Sequence, residues 1–382
     1  MKRGARIVRD DPLLSAISTP EFLDQVQDGM YVVDEERRIV FWNRAAEELT
    51  GFKSRDMLGM RCAGPDALGH RTTSGESLCT NDACPLVRCM ASGEGGAVPY
   101  LILMNTASGK PLPISLSVGP LHGHDGKVAG AIALFRGMRE EYQQRRLSAE
   151  IQRRTITSRG FSRNGARVET LYVPVDEIGG DFLEAFFLDE HTLIATVADA
   201  TGHGISASLF TMVYKSLLHA SFAQTRDPAI ALESVNRGFL ETVDVEGFYV
   251  SACLVSWDTV TRKGHYAAAG HPRGMLFTPH LEGFSLRESL TAPSLMLGME
   301  ESARYDQREF SLEKGEFLFL GTDGILESAV SDGRQFGQDG IIDFFSRYGG
   351  DAPLSDLLVE VRRQGAGRPL ADDVSALLLT PA

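Results

Sequence analysis

Residues 197–210 read VADATGHGISASLF. They close an apolar run, Leu193 to Ala198, whose length and composition predict a buried strand. The run delivers an acid, Asp199, at the strand's end. Ala200 and Thr201 follow, then Gly202-His203-Gly204, then a helical pattern from Ile205 to Leu218. Small residues at such a turn let the backbone come close to a ligand. Strand, acid, glycine turn and helix frame an ion or a phosphate; the plain alternative is an ordinary strand–helix turn with a solvated aspartate.

Other acids in similar settings favour the first reading. Asp181 follows Gly179-Gly180 in EIGGDF, and Asp323 follows an apolar run in FLFLGTDGILES. Asp372 and Asp373 precede the last run, in LADDVSALLL. Each is bordered by glycine or small residues and adjoins an apolar strand that would fix its position. Converging carboxylates repel one another unless something neutralises them. Hard divalent cations with oxygen ligands do this best, so Mg²⁺ or Mn²⁺ is the expected cofactor. Any one of these acids alone reads as a cap or turn residue; the set together points to a metal.

Around the acids lie strand candidates at Arg167–Pro174, Phe182–Leu188, His191–Ala198, Tyr249–Trp257, Gly264–Ala269, Gly274–Phe277, Glu316–Gly321 and Val374–Leu379. Helices are expected at Ile205–Phe222, Pro228–Val243, Gly340–Arg347 and Leu354–Gln364. Strands on either side of a helical pair predict a layered fold with antiparallel sheets. Matching motifs then run in order: Gly179-Gly180-Asp181-Phe182, Val197-Ala198-Asp199 with Gly202-His203-Gly204, Ala269-Gly270-His271-Pro272, Gly321-Thr322-Asp323-Gly324, Phe336-Gly337 and Asp372-Asp373. In these the chain resembles the metal-dependent serine/threonine protein phosphatases of the PPM superfamily, specifically the bacterial SpoIIE/RsbU-like branch.

The resemblance implies an α-β-β-α sandwich with the metals at one end. It implies that Asp181 and Asp199 bridge or hold the metal pair and that the carbonyl of Ala200 supplies a ligand. Asp323 and Asp372 would complete the shell, with Asp373 a direct ligand or one step removed. A water activated between two ions would attack phosphorus in line, with no covalent enzyme intermediate. Gly180, Gly202, His203, Gly204 and His271 are supporting positions, and both histidines are read as structural. The chain departs from the family pattern at Glu184, where an aspartate is common, and at Ala267-Ala268-Ala269, where an asparagine is common. No arginine is assigned to the substrate phosphate.

Residues 21–136 read as a separate α+β module. Strands are expected at Met30–Asp34 and Arg38–Trp42, a helix at Asn43–Leu49, and strands at Val98–Met104, Pro113–Val118 and Val128–Phe135. The stretches DGMYVVDEERRIVFWNRAAEELTGF, MLGMRC, SGKPLPISLSV and GKVAGAIALFR resemble a PAS sensor domain. Cys62, Cys79, Cys84 and Cys89 crowd one segment together with His70, while Cys253 stands apart. Thiolates and an imidazole suit zinc or an iron–sulfur cluster. Cys62, Cys79 and Cys84 are the expected ligands, with His70 or Cys89 as the fourth; otherwise the cysteines fill a small core.

Residues 137–159 are polar and rich in helix formers, with apolar pairs Met138/Tyr142 and Leu147/Ile151. They are read as a connecting helix that pairs with its twin in a homodimer and relays a signal to Asp181 and Asp199. The domain plan is an extension over 1–20, a sensor over 21–136, a linker helix over 137–159 and a phosphatase over 160–382. Apolar content of 43% and charged content of 23% suit a well-cored globular chain. The net charge of −13 argues against a nucleic-acid partner. MKRGARIVRDD has no apolar core, and runs such as Val128–Phe135 are too short to span a bilayer, so a cytoplasmic protein without a membrane partner is expected.

The expected function is a signal-regulated phosphatase acting on phosphoserine or phosphothreonine. The resemblance makes a phosphorylated STAS-domain anti-sigma-factor antagonist the expected substrate. The alternative is a catalytically weak or silent sensor that docks partners or senses redox state, for which Glu184 and Ala268 are the motive.

Overall fold

A computed structural model describes residues 23–382 apart from 64–66, 74, 81–82, 99–100, 124, 156–159, 176–177, 203, 244–246, 281–282, 332, 349–353 and 367–369. The chain divides into two compact units, Met1–Gln144 and Arg145–Ala382.

The second unit is a sandwich of two antiparallel sheets. One has five strands in the order Asp181–Phe187, Thr192–Ala200, Val250–Asp258, Lys263–Ala269 and Gln307–Ser311. The other has six, in the order Gly283–Leu290, Gly274–His280, Phe317–Gly321, Val374–Pro381, Ala166–Val173 and Phe161–Arg163. Strand side chains alternate between faces, and the apolar pattern uses both. Leu193, Ala195 and Val197 join Leu183, Val255 and Trp257 in a core shared with Leu276, Leu318, Leu320, Leu377 and Leu379 of the opposite sheet.

The intervening residues Ile194 and Ala198, with Phe182 and Leu254, pack on Tyr214, Leu218, Leu232 and Val235. Those four lie on the helices Ile205–Phe222 and Pro228–Val243. On the outer face of the six-stranded sheet, Met275, Phe277, Phe319 and Leu378 meet Phe344, Phe345, Leu357 and Val361. These come from the helices Gly337–Arg347 and Leu354–Gln364. The layers are therefore helix, sheet, sheet, helix. Each fully buried large apolar side chain contributes about 1.5–3 kcal/mol, so strands apolar on both faces hold the sandwich shut.

In the first unit the sheet runs Ile39–Trp42, Gly29–Asp34, Val128–Gly137, Leu112–His122, Ile102–Met104 and Arg71–Thr72, and Gly96–Ala97 pairs with Leu112–His122. Asn43 caps the helix Arg44–Thr50. Its Oδ1 accepts from Ala46 N (2.9 Å) and from Met30 N (2.8 Å), tying the helix to the strand beside it. The continuous strand expected over Val98–Met104 is not what the described residues form: the pairing at Gly96–Ala97 and the strand Ile102–Met104 are separate. Pro99, which has no backbone N–H, falls between them. A helix, Arg139–Thr155, begins in the first unit and ends in the second.

Candidate functional site

Asp181 opens the strand Asp181–Phe187, and Asp199 is the penultimate residue of Thr192–Ala200. The strands are antiparallel and the two acids are register partners. Their side chains therefore leave the same face at the same end of the sheet. The six-stranded sheet brings its own acids to that end. Phe317–Gly321 leads through Thr322 into a short helix that starts at Asp323, and Asp372-Asp373 lead into Val374–Pro381. The buried hydroxyl of Thr322 donates to Asp181 Oδ2 (3.0 Å), and its backbone N donates to Ser375 O (3.0 Å). One residue thus joins the acids of both sheets. Gly324 lies so close to the backbone of Asp373 that a Cβ there would overlap its carbonyl oxygen.

The five carboxyls divide by what they touch. Asp373 is buried and committed: Oδ1 accepts from Val175 N (2.7 Å) and Oδ2 from Gly180 N (2.6 Å). Asp372 is exposed, and its Oδ1 accepts from Asp373 N (2.8 Å). Asp181 is 1% exposed, and burial, then the charge of Asp199, pushes its pKa well above the usual carboxylate range. Burial, then Asp323 and Asp372, pushes Asp199 up to about 7. Asp323 is raised by burial and by Asp372 and Glu327. Buried carboxyls that raise one another's pKa make a set that a cation would stabilise. All the donors are oxygens, which fits a hard divalent ion. Among the described residues, however, no group of three or more His, Cys, Asp or Glu side chains is placed to hold a metal ion as it stands. The cluster is open, and an ion would have to draw the carboxylates in.

The glycines explain how the turn fits. Gly202 (φ 90°) and Gly204 (φ 78°) lie in the left-handed region that favours glycine. A Cβ on Gly180 would lie 2.9 Å from Ala200 O and 3.1 Å from Gly202 O, so a side chain there would force the two turns apart. His203 lies outside the described residues. The ring of His271 is buried; Nδ1 lies 2.8 Å from Ser251 Oγ, and Ser251 pairs with Asp199 across the sheet. Burial lowers the His271 pKa to about 3, so the ring is neutral.

Sequence reasoning missed Thr322 as a partner of Asp181, and it missed the surroundings of Glu184. Glu184 is buried, with Lys215 Nζ 2.9 Å from Oε1 and His219 Nε2 2.9 Å from Oε2. The departure from the family pattern at this position thus has packing partners of its own. Both lie on the helix Ile205–Phe222 at i and i+4, a spacing that shares one face.

In the first unit Cys62 and Cys84 lie in the same buried core as Tyr31, while Cys89 sits within the helix Pro85–Ser92. Cys79 Sγ is 3.8 Å from His70 O, and the His70 ring stacks on Tyr31 with centroids 6.5 Å apart. His70 Nε2 and the Tyr31 hydroxyl are buried without a hydrogen-bond partner among the described residues. Burial, then Cys84 and Cys79, pushes the Cys62 thiol up to about 12, and burial lowers His70 to about 4. The Cys62 thiol is therefore protonated and the His70 imidazole neutral near pH 7, and among the described residues no ready metal cage stands here.

Two family models match the chain. One, described as Stage II sporulation protein E (SpoIIE), covers residues 189–381; the other, described as PAS fold, covers 23–143. The phosphoserine phosphatase RsbU of Bacillus subtilis (strain 168) is 25% identical over 200 residues, 52% of this chain and 58% of that protein. The phosphoserine phosphatase RsbP of the same strain is 24% identical over 188 residues, 48% of this chain and 45% of that protein. The chain thus spans about half the length of these curated relatives. Among solved structures, the SiaA-PP2C domain of Pseudomonas aeruginosa matches with a TM-score of 0.53 and 22% identity, covering 63% of this chain and 96% of that one. That likeness concerns the fold.

Proposed function

The chain belongs to the SpoIIE family, and on that premise we propose that it is a signal-regulated, metal-dependent protein serine/threonine phosphatase. The observation that carries the reading is the register pair Asp181/Asp199 at one end of the sandwich, with Asp323 and Asp372 near enough to raise the Asp199 pKa. Asp181, Asp199, Asp323 and Asp372 would hold two Mn²⁺ or Mg²⁺ ions, aided by the Ala200 carbonyl. Bound ions would supply an activated water and offset charge on the phosphoryl oxygens. Thr322 orients Asp181 through its hydroxyl. Asp373 accepts from Val175 N and Gly180 N with its two carboxylate oxygens, which gives it a supporting part.

The substrate we propose is a phosphorylated STAS-domain anti-sigma-factor antagonist, by analogy with the phosphoserine phosphatases RsbU and RsbP. Residues 21–136 would sense, 137–159 would relay and 160–382 would hydrolyse. The exposed Leu147 and Ile151 support pairing of the connecting helix with its twin in a homodimer. Cys62, Cys79, Cys84 and His70 around Tyr31 are the proposed seat of zinc or an iron–sulfur cluster in the sensor, since a metal would both deprotonate the thiols and take up the His70 nitrogen.

Turnover of an aryl phosphate and of a phosphoserine peptide by the purified chain tests the function. We expect hydrolysis that requires Mn²⁺ or Mg²⁺ and falls at least about a hundredfold in Asp199→Asn. Absence of metal-dependent turnover, or turnover untouched by that substitution, would favour a docking regulator instead.

A further inference from the structure

Gln152 is a polar residue buried with 2% exposure on the helix Arg139–Thr155. A buried amide costs stability unless its donor and acceptor are both used. Here both are used on one residue. Nε2 donates to Gly179 O (2.7 Å), and Oε1 accepts from Gly179 N (3.3 Å) and from the Tyr172 hydroxyl (3.4 Å). The side chain grips both backbone groups of Gly179, as a neighbouring strand would. Gly179 is also walled in: a Cβ there would overlap the Asp373 carboxylate and lie 2.6 Å from the Tyr172 hydroxyl. The next residue, Gly180, is fixed by Asp373 on one side and accepts from Ala200 N (3.2 Å) on the other. Asp181 follows directly.

The same helix is tied a second time. Lys215 Nζ donates to Thr155 O (2.7 Å) and reaches Glu184 Oε1 (2.9 Å). The last turn of the helix therefore holds residue 179 through Gln152 and residue 184 through Lys215. These two ties bracket Asp181.

We propose that Gln152 is a positioning residue for the acidic site, setting through Gly179 and Gly180 where the Asp181 carboxylate lies. Apolar packing on the helix would hold the layers together equally well; only an amide reads the backbone of residue 179. A shift in the last turn of the helix would move Asp181 at once. The inference rests on the metal-binding reading of Asp181, and the experiment separates the two.

Mn²⁺ is titrated calorimetrically into the full chain and into Gln152→Leu, Tyr172→Phe and Leu357→Ala. Thermal unfolding of each metal-free protein is recorded alongside. Leu357 is buried under the opposite sheet and reports plain destabilisation. Gln152→Leu is expected to weaken Mn²⁺ binding at least about tenfold, the usual scale for a residue that orients a metal ligand. Tyr172→Phe, which leaves the amide's grip on Gly179 intact, should bind within about twofold of the natural chain, and so should Leu357→Ala even though its Tm falls. Equal Mn²⁺ affinity in Gln152→Leu and the natural chain overturns the positioning role. A loss in Leu357→Ala as large as in Gln152→Leu also overturns it, because the effect would then be general loosening. Absence of Mn²⁺ binding by the natural chain overturns the metal reading itself.

Discussion

Asp199 is the residue on which charge repulsion at the site can be measured alone. Burial with Asp323 and Asp372 nearby holds its pKa at about 7, against about 4 for an aspartate in an unfolded chain. Between those values the folded chain keeps a proton that the unfolded chain has lost. Metal-free stability from this group is therefore full below about pH 4 and is lost as pH rises through 7. Three pKa units correspond to about 4 kcal/mol. Asp199→Asn removes the ionisation. It should raise the metal-free Tm at pH 8 by about 4 °C or more, leave the Tm at pH 5 nearly unchanged, and abolish Mn²⁺ binding. Calorimetric scans at the two pH values check this; a variant less stable than the natural chain at pH 8 contradicts the charge repulsion on which the site reading depends. His70 titrates with the opposite sign. Its lowered pKa of about 4 means that its contribution is full above about pH 6.5 and is lost as pH falls toward 4.

Among the elements, the helix Arg139–Thr155 shows best what sequence can and cannot tell. Its existence was legible from composition, and Leu147 and Ile151 were read as an apolar pair at i and i+4. They are 62% and 48% exposed, while Ala149 and Gln152 are buried. If the exposed pair meets its twin, Leu147→Glu with Ile151→Glu should shift the full chain from dimer toward monomer in sedimentation equilibrium, with unchanged far-ultraviolet dichroism. A natural chain that sediments as a monomer, or a double variant that stays dimeric, contradicts the pairing. Gln152 itself was invisible in sequence, because one more polar residue in a polar helix carries no periodic signal.

The helices Ile205–Phe222 and Pro228–Val243 fall where the sequence placed them. The strands Phe161–Arg163, Gly283–Leu290 and Gln307–Ser311 were not read. All are sheet edges, and edge strands with exposed, polar positions lack the apolar pattern of a central strand. The acids were legible because each adjoins a strongly apolar strand, as Asp323 adjoins the fully buried Phe317–Gly321. The bonds among them were not, because Thr322, Asp373 and Gly180 are far apart in sequence and meet only once the sheets have closed.

At the scale of the second unit, the site depends on the sandwich as a whole. Asp181 and Asp199 come from the five-stranded sheet, and Asp323, Asp372 and Asp373 from the chain flanking the strands of the other. Packing of Leu183, Val197 and Trp257 against Leu318 and Leu377 therefore sets how far apart the two groups of acids stand. A metal bound there would couple to closure of the sheets, as it does wherever ligands from separate elements share an ion. Among the described residues no helix is long and apolar enough to cross a membrane. The proposed two-metal site is tested by electron paramagnetic resonance of the full chain titrated with Mn²⁺ at pH 8. Two ions held by one cluster lie about 3.5–4 Å apart, close enough for their spins to couple. Such a site should bind about two Mn²⁺ per chain with an exchange-coupled signal, lost in both Asp181→Asn and Asp199→Asn. Isolated Mn²⁺ signals that persist unchanged in both variants would contradict it.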